Sequence, residues 1–448
     1  MKGGPTTPDG TARRATVRLY LLLTGLDFFG DMCLTVTSVL LLGERGLSSS
    51  TIIWLIASVW LLEALLEVPT GVFADAIGRR ASVVVGFAVR AVGYGMLFFS
   101  ADPAVAVAGT LIAAVGTPFA SGSLDAWAVD RLQREDPSAS LDALFARGRM
   151  AENAGIVTGT VAGAAAGQLL GLAVPQLLAG SACLAGAVCT TVLLRGRTPV
   201  ADGAGAGAGR AGVRRELAAA SLEALRGCRR ALGTDRVLTG LLLCAAALCL
   251  FRGLPGVQWT VHFDVLTGGS LIALAAARCT GDLLQIPLLE VVARKVRQDP
   301  GARARIIVLA AVAAGLFLGG SALASSGWVG VPLYIGFVMA AGLCMPGLKA
   351  ALNERVPARS RATMLSAGGL FNSLATGLGL YVMGGLGIGL ADVTGVWTTA
   401  AAGTTLFGAA AAWFCVRSLR TPPASAAVDS PAVRGASEEA EEDGARVP

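Results

Sequence analysis

The sequence has few charged residues and almost no histidine. Charged residues make up 15% of the 448 positions, whereas a soluble domain averages about 25%. The single histidine, His262, cannot build a metal cluster by itself. Hydrophobic residues make up 54% of the chain, and the mean hydropathy is +0.66. This composition excludes an ordinary soluble protein and indicates a protein of the lipid bilayer.

The nine cysteines include no C-x-x-C pair, and all but Cys228 lie inside apolar segments. Cysteines in such positions behave as small apolar residues, so neither a disulfide framework nor a zinc site is predicted. We therefore expect no metal and no cofactor. Because no motif for a catalytic nucleophile is present either, the chain is not expected to be an enzyme.

The net charge of +6 does not indicate nucleic-acid binding. Only three of the 36 basic residues are Lys, and the arginines stand in short clusters between apolar runs. Clusters of this kind orient a membrane protein, because cytoplasmic segments carry the excess of Lys and Arg.

Apolar runs long enough to cross a bilayer, which takes about 20 residues, occur twelve times and predict an all-α integral membrane protein. The predicted spans are residues 17–42, 51–73, 81–100, 103–130, 147–170, 173–194, 237–262, 270–292, 304–325, 329–352, 362–387 and 393–416.

The basic residues between and beside these spans fall on one side of the membrane, with Arg45 alone on the other. Both termini are therefore predicted to be cytoplasmic and the protein to lie in the cell membrane. The predicted regions are a cytoplasmic N-terminus (1–16), a first six-helix bundle (17–195), a cytoplasmic central loop (196–236), a second six-helix bundle (237–416) and a disordered cytoplasmic tail (417–448).

The central loop contains RRELAAASLEALRGCRRAL. This segment is compatible with a basic amphipathic helix lying on the cytoplasmic leaflet. A plain connector between the two halves is the alternative.

Short echoes suggest that the two halves are repeats. LLEVPTG in the second span resembles LLQIPLL in the eighth, and RGRMAENAG at 147–155 resembles RATMLSAGG at 361–369. Duplication predicts two pseudo-symmetric bundles that face each other across a central cavity, as in transporters built from repeats.

A charged stretch, GVFADAIGRR, separates the second and third spans. It resembles the loop between helices 2 and 3 of the major facilitator superfamily, Gly-x-x-x-Asp-x-x-Gly-Arg/Lys-Arg/Lys. The matching residues are Gly71, Asp75, Gly78, Arg79 and Arg80. With twelve spans and a long central loop, the resemblance extends over residues 17–416 and implies the fold of that superfamily.

The resemblance also implies a gate. In the superfamily this loop latches the two halves together in the outward-facing state, and its arginines pair with an acid at the end of helix 4, here Asp130. We expect Gly71 to allow close helix contact, Asp75 to accept hydrogen bonds at a helix N-terminus, and Gly78 to permit a tight turn. Glu67 is assigned to the same gate. The alternative is that these charges only fix topology.

Helix 5 matches the pattern of drug/proton antiporters only in part. GIVTGTVAGA has Thr160 where Pro is expected and Ala164 where Gly is expected, and the arginine often found in helix 4 of such antiporters is absent from GTLIAAVGTPFASG. Close helix packing is predicted from the glycines that recur every fourth residue. They are Gly155, Gly159, Gly163 and Gly167.

Ionisable residues inside the predicted spans are costly to bury and are candidates for function. Asp27 and Asp31 stand one turn apart in helix 1, where two carboxylates in a low dielectric favour the binding of a proton. Asp31 is the first candidate proton carrier, followed by Asp27 and by Glu63 in helix 2. Static ion pairs with Arg90, or contact with the substrate, are the alternatives.

Four more such residues are candidate cavity charges. Arg90 and Arg252 lie at the middle of helices 3 and 7, and Arg278 and Asp282 lie one turn apart in helix 8. The last two are also spaced to form a static ion pair.

These features favour a secondary active transporter that works by alternating access, most simply a monomeric bacterial protein for proton-coupled efflux of a small amphipathic or drug-like molecule. Its expected partners are that substrate, protons and the bilayer, with no nucleic acid. Uptake or export of a defined metabolite is an alternative. A non-transporting sensor or scaffold is a third interpretation.

Overall fold

The computed structural model is a helical bundle. It describes residues 10–136, 141–193, 235–299, 301–355 and 361–420. The described residues form helices joined by short turns, without a strand. The amphipathic segment of the central loop and the tail beyond residue 420 lie outside them.

The described part of the chain has thirteen helices. They are α1 (Gly10–Cys33), α2 (Ser38–Glu44), α3 (Ser49–Ile77), α4 (Arg79–Phe99), α5 (Pro103–Glu135), α6 (Leu141–Leu170), α7 (Val174–Leu193), α8 (Arg236–Leu266), α9 (Leu271–Gln298), α10 (Ala302–Ala322), α11 (Gly327–Arg355), α12 (Arg361–Gly385) and α13 (Val393–Arg420).

Each predicted span has a helix, and α1 and α2 together form the first. Nine described helices are long and apolar enough to cross a membrane, and the pair α1–α2 makes a tenth. The other two, α6 and α12, are rich in glycine. An all-α membrane protein is therefore confirmed, and so is its multi-pass character.

The first predicted span, 17–42, is wrong in its continuity. The helix axis bends by 44° between α1 and α2. The amides of Leu34, Thr35 and Thr37 bond to carbonyls three residues back instead of four, which tightens the chain into a turn. The β-branched run Thr35, Val36, Thr37 has lower helix propensity and favours such a break.

The glycine ladder of α6 packs directly on α1, as its spacing predicts. A Cβ at Gly155 would stand 2.7 Å from the carbonyl oxygen of Gly25, and a Cβ at Gly163 would overlap the carbonyl oxygen of Cys33. Side chains on this face of α6 would push the helices apart. The ladder therefore fixes the position of α1, the helix that carries Asp27 and Asp31.

Two pairs of helices join the bundles, and each pair takes one helix from each half. α3 packs on α12, and α6 packs on α9. We name the face at which α1 begins and α13 ends the termini face, and the opposite one the distal face. Near the distal face Trp54 stacks on Tyr381, with ring centroids 6.3 Å apart, and Gln168 accepts a hydrogen bond from the Leu271 amide at 2.7 Å.

Toward the termini face the described helices diverge. Gly71 on α3 and Gly369 on α12 have nothing within 4 Å of the place where a Cβ would stand. One apolar core unites the first bundle with the distal half of the second, whereas a separate core fills the second bundle near the termini face. The described contacts between the bundles therefore lie near the distal face, whereas Gly71 and Gly369 make none near the termini face.

Ion pairs at the termini face occupy matching places in the two bundles. Arg13 at the start of α1 pairs with Asp136 after α5 at 2.9 Å. In the second bundle Asp235, just before α8, pairs with Arg355 at the end of α11 at 2.8 Å. The charges are exchanged but the connected helices are equivalent, which supports the predicted repeat and gives its register.

We predict that Gly163→Ala destabilises the protein. The added methyl group must displace the backbone of α1, and overpacking of this kind costs about 1–3 kcal/mol. Thermal unfolding of the purified protein in detergent should show a lower Tm. Gly95→Ala in α4 is the matched control, because nothing lies within 4 Å of its Cβ position. Equal Tm values for the two variants would contradict the packing argument.

Candidate functional site

Four polar side chains meet inside the first bundle. The Arg90 guanidinium on α4 donates one hydrogen bond to Asp27 and another to Asp31, both on α1. The Tyr94 hydroxyl, one turn after Arg90, donates to Asp31 at 3.2 Å. The side chain of Arg90 is only 1% exposed, against 16% for Asp27 and 36% for Asp31. Asp31 is therefore the carboxylate most open to the cavity.

A glycine on the neighbouring helix makes room for this cluster. A Cβ at Gly116 on α5 would stand 2.6 Å from Cγ of Arg90. Only a residue without a side chain lets the arginine pass between α4 and α5 to reach α1. Packing thus determines the position of Arg90, and the two aspartates balance its charge.

Glu63 on α3 extends the acidic side of the cluster. It interacts electrostatically with both Asp31 and Arg90, and Glu67 follows one turn later as an exposed residue. One guanidinium neutralises one carboxylate. The cluster of Asp27, Asp31, Glu63 and Arg90, which we name the acidic cluster, keeps an excess of negative charge.

The second bundle contains the opposite excess. Arg278 pairs with Asp282 at 2.9 Å along α9, as the static alternative predicts. Arg252 on α8 is exposed and makes no hydrogen bond or ion pair within the described residues. It interacts electrostatically with Arg278 and Asp282. Arg252 is thus an intramembrane cation without a bonded counter-charge.

An aromatic wall borders these residues. Trp259 stacks on Tyr334 with ring centroids 5.9 Å apart, and both line a pocket that also includes Arg278. Among the described residues no group of three His, Cys, Asp or Glu side chains is placed to hold a metal ion. The site therefore offers charges, hydrogen-bond donors and aromatic surfaces for a small organic molecule.

The charged stretch between helices 2 and 3 is mostly helical, not a loop. α3 runs to Ile77 and α4 begins at Arg79, so Gly78 alone connects them, with φ +97°. That conformation favours glycine, and the predicted tight turn is confirmed. Helical hydrogen bonding that continues past Pro69 puts Gly71 and Asp75 inside α3.

The arginines after this turn bind neighbouring helices. Arg79 pairs with Asp130 at 2.5 Å and also donates to the Ala126 carbonyl at 2.8 Å. Arg80 donates to the carbonyl of Thr191 at 2.7 Å. The pair with Asp130 follows the pattern that the resemblance implies, while its role in gating stays a prediction.

Close helix contact at Gly71 stays a prediction, since none of the described atoms lies within 4 Å of the place where its Cβ would stand. The side chain of Asp75 lies outside what the structure describes, so its predicted hydrogen bonds stay a prediction.

Sequence reasoning missed two contributors. Tyr94 donates a hydrogen bond to Asp31. Its position one turn after Arg90 in the sequence could have indicated this contact. Asp125 on α5 accepts a hydrogen bond from the Tyr20 hydroxyl at 2.8 Å and interacts electrostatically with Asp27. It stands in DAWAVDR, five residues before Asp130, and is not part of the family motif to which Asp130 was matched.

Outside the spans, a carboxylate at the termini face has a shifted pKa. Arg303 donates two hydrogen bonds to Glu354, at 2.7 and 2.6 Å. These bonds favour the carboxylate and hold the pKa of Glu354 below its usual value. The pair ties the start of α10 to the end of α11.

The sequence model of the Major Facilitator Superfamily matches residues 20–380. Three similar solved structures are the nucleoside transporter NupG, a peptide transporter POT in complex with sulfate, and a POT family transporter in complex with 5-aminolevulinic acid. A search of curated protein sequences gave no match.

All three structures share the fold at low sequence identity. For NupG the TM-score is 0.70 at 13% identity, over 91% of this chain and 99% of the other. For the sulfate complex the values are 0.73, 14%, 90% and 95%, and for the 5-aminolevulinic acid complex 0.70, 14%, 90% and 96%.

Arg90→Gln is predicted to destabilise the protein. The change leaves Asp27 and Asp31 without their counter-charge, and loss of one partner of a buried ion pair costs about 3–5 kcal/mol. The Tm in detergent should fall by several degrees, and a second change, Asp27→Asn, should restore part of the loss. An Arg90→Gln protein as stable as the wild type would contradict a structural role for the pair.

Proposed function

The chain belongs to the Major Facilitator Superfamily and is a secondary transporter, and on that premise we propose that it exports a small amphipathic or drug-like molecule across the cell membrane in exchange for protons. The observation that carries the proposal is the acidic cluster in the first bundle. Its excess carboxylates lie beside the central cavity that the repeat predicts.

The acidic cluster explains how proton binding and substrate binding are coupled to the change of orientation. When the cavity closes, an uncompensated charge loses contact with water, and a charge at the bilayer centre costs at least about 2.5–3.5 kcal/mol. A proton on Asp31 lowers this cost while Arg90 stays paired with Asp27, and a second proton on Glu63 removes it. A cationic group of the substrate near Asp31 lowers the cost as the first proton does, so the two compete for one site.

Competition of this kind gives exchange transport. The transporter changes orientation with a proton bound or with substrate bound, and the empty, deprotonated form is held back by its unbalanced charge. Asp31 is the proposed exchange site because its side chain is more exposed than that of Asp27, at 36% against 16%. Glu63 is the proposed second carrier, since it lies in electrostatic range of Asp31.

Orientation follows from the basic residues. The termini face carries nearly all Lys and Arg outside the spans, and such residues favour the cytoplasmic side. On this assignment both termini are cytoplasmic and the conformation described above faces inward, with its cavity ready to take substrate from the cytoplasm. We propose that it works as a monomer.

A defined metabolite is the second candidate substrate. The observation that favours it is Arg252, whose fixed positive charge in the second bundle would disfavour the purely cationic compounds that broad-range exporters handle.

Proton exchange is tested in inverted membrane vesicles with an acridine dye that reports the pH gradient. Addition of a transported compound should dissipate the gradient in wild-type vesicles and leave it intact with Asp31→Asn, because the amide cannot release a proton. Ethidium and the amphoteric drug norfloxacin are suitable probes. Equal dissipation with Asp31→Asn, or none with either compound in wild-type vesicles, would refute proton-coupled export of drug-like molecules.

The gate is tested by the distance between spin labels at Gln133 on α5 and Gln298 on α9, both exposed at the termini face. Asp75→Asn should increase the population with the longer distance, because the latch of the outward-facing state is weakened. Glu44→Gln is the control, since it neutralises an exposed carboxylate at the distal face. An unchanged distribution with Asp75→Asn would contradict the latch.

A further inference from the structure

The repeat places two opposite charges at matching depths. The ion pairs at the termini face make Arg13 equivalent to Asp235, at the starts of α1 and α8. Asp31 stands 18 residues after Arg13, and Arg252 stands 17 residues after Asp235. Counted from these pairs, Asp31 on α1 and Arg252 on α8 lie at similar depths in the two bundles, and equivalent helices of transporters built from repeats face each other across the cavity.

Each of these two residues belongs to a cluster whose net charge has the same sign as its own. The charged side chains in electrostatic range of Arg252 are Arg278 and its partner Asp282. Lys349 on α11 is exposed and interacts with Cys249, as Arg252 does. We name these four charged residues the basic cluster, and its excess is positive. The cavity thus has a negative wall in the first bundle and a positive wall in the second.

Arg252 has the chemistry of an anion site. Its guanidinium is a planar fork of donors that suits carboxylates and phosphates. Within the described residues it has no bonded counter-charge, although an intramembrane cation is normally paired. Arg278 is already held by Asp282 at 2.9 Å, so Arg252 and Lys349 are the cations left to receive a ligand.

We propose that the substrate is a dipolar small molecule, whose acid group binds Arg252 and Lys349 in the second bundle while its cationic group binds Asp31 and Glu63 in the first. This inference rests on the proposed transport function and narrows its substrate class to molecules that contain both an acid and an amine. Such a molecule bridges the two walls and lowers both excess charges at once.

The dipolar form also explains how binding is linked to orientation. A substrate with only a cationic group leaves Arg252 unbalanced in the closed cavity, and one with only an acid group leaves the acidic cluster unbalanced. A dipolar molecule lowers the excess charge on both walls, so it reduces the cost of closure more than a molecule with a single charge does. The two clusters therefore act as a filter for charge and not only as binding sites.

The test uses thiols as local probes and needs no knowledge of the substrate. Cys249 lies one turn before Arg252, and Phe28→Cys places a thiol at the matching place before Asp31. The purified protein is treated with an anionic thiosulfonate, sulfonatoethyl methanethiosulfonate, or with a cationic one, trimethylammonioethyl methanethiosulfonate. Mass spectrometry of peptides then gives the rate of modification at each thiol.

We expect Cys249 to react at least about tenfold faster with the anionic reagent than the cationic one, relative to their rates with free cysteine, since charged walls raise the local concentration of the opposite charge by about 10-fold or more. The thiol introduced by Phe28→Cys should show the reverse preference. Arg252→Gln should abolish the preference at Cys249, whereas Arg252→Lys, which keeps the charge, should retain it.

Equal rates for the two reagents at either thiol, or a preference at Cys249 that survives Arg252→Gln together with Lys349→Gln, would overturn the proposal. A lipid headgroup as the natural anion is separated by adding phosphatidylglycerol. Loss of the Cys249 preference on that addition would assign the site to lipid and refute the substrate role. The rates do not depend on transport, so failure here is distinct from failure of proton exchange.

Discussion

The organisation of this protein depends on how a buried arginine is neutralised. Arg90 lies between α4 and α5 with almost no exposed surface, and its charge is balanced only because α1 brings Asp27 and Asp31 to it. That approach requires glycine on two sides. Gly116 lets the side chain of Arg90 pass, and the ladder on α6 lets α1 come close enough to meet it.

From this constraint follows the chemistry of the first bundle. Two carboxylates share one guanidinium, so one negative charge is left over, and Glu63 adds another. A cavity that must close around such charges favours states in which a proton or a cationic ligand is bound. The second bundle carries the opposite excess charge, since Arg252 on α8 lies at a depth similar to that of Asp31 on α1. The two equivalent bundles thus give the cavity one negatively and one positively charged wall.

The described contacts between the bundles lie near one face. Aromatic and amide contacts join the bundles near the distal face, while α3 and α12 separate toward the termini face. The short connection through Gly78 and the contacts of Arg79 and Arg80 bind the ends of α3 and α4 to the rest of the first bundle. These contacts join the ends of α3 and α4 to α5 and α7.

The sequence by itself determined the membrane class, the number of spans, the division into halves and the ion-pairing partners within one helix, because each depends on local hydropathy or on fixed helical spacing. The glycine period of α6 and the Gly78 turn were also readable, since both are backbone requirements. What only the tertiary structure decided are features that depend on distant segments: Arg90 bridging both aspartates, the break after Cys33, and the lack of a bonded partner for Arg252 among the described residues. These depend on which helix faces which and at what depth, and no local pattern encodes that.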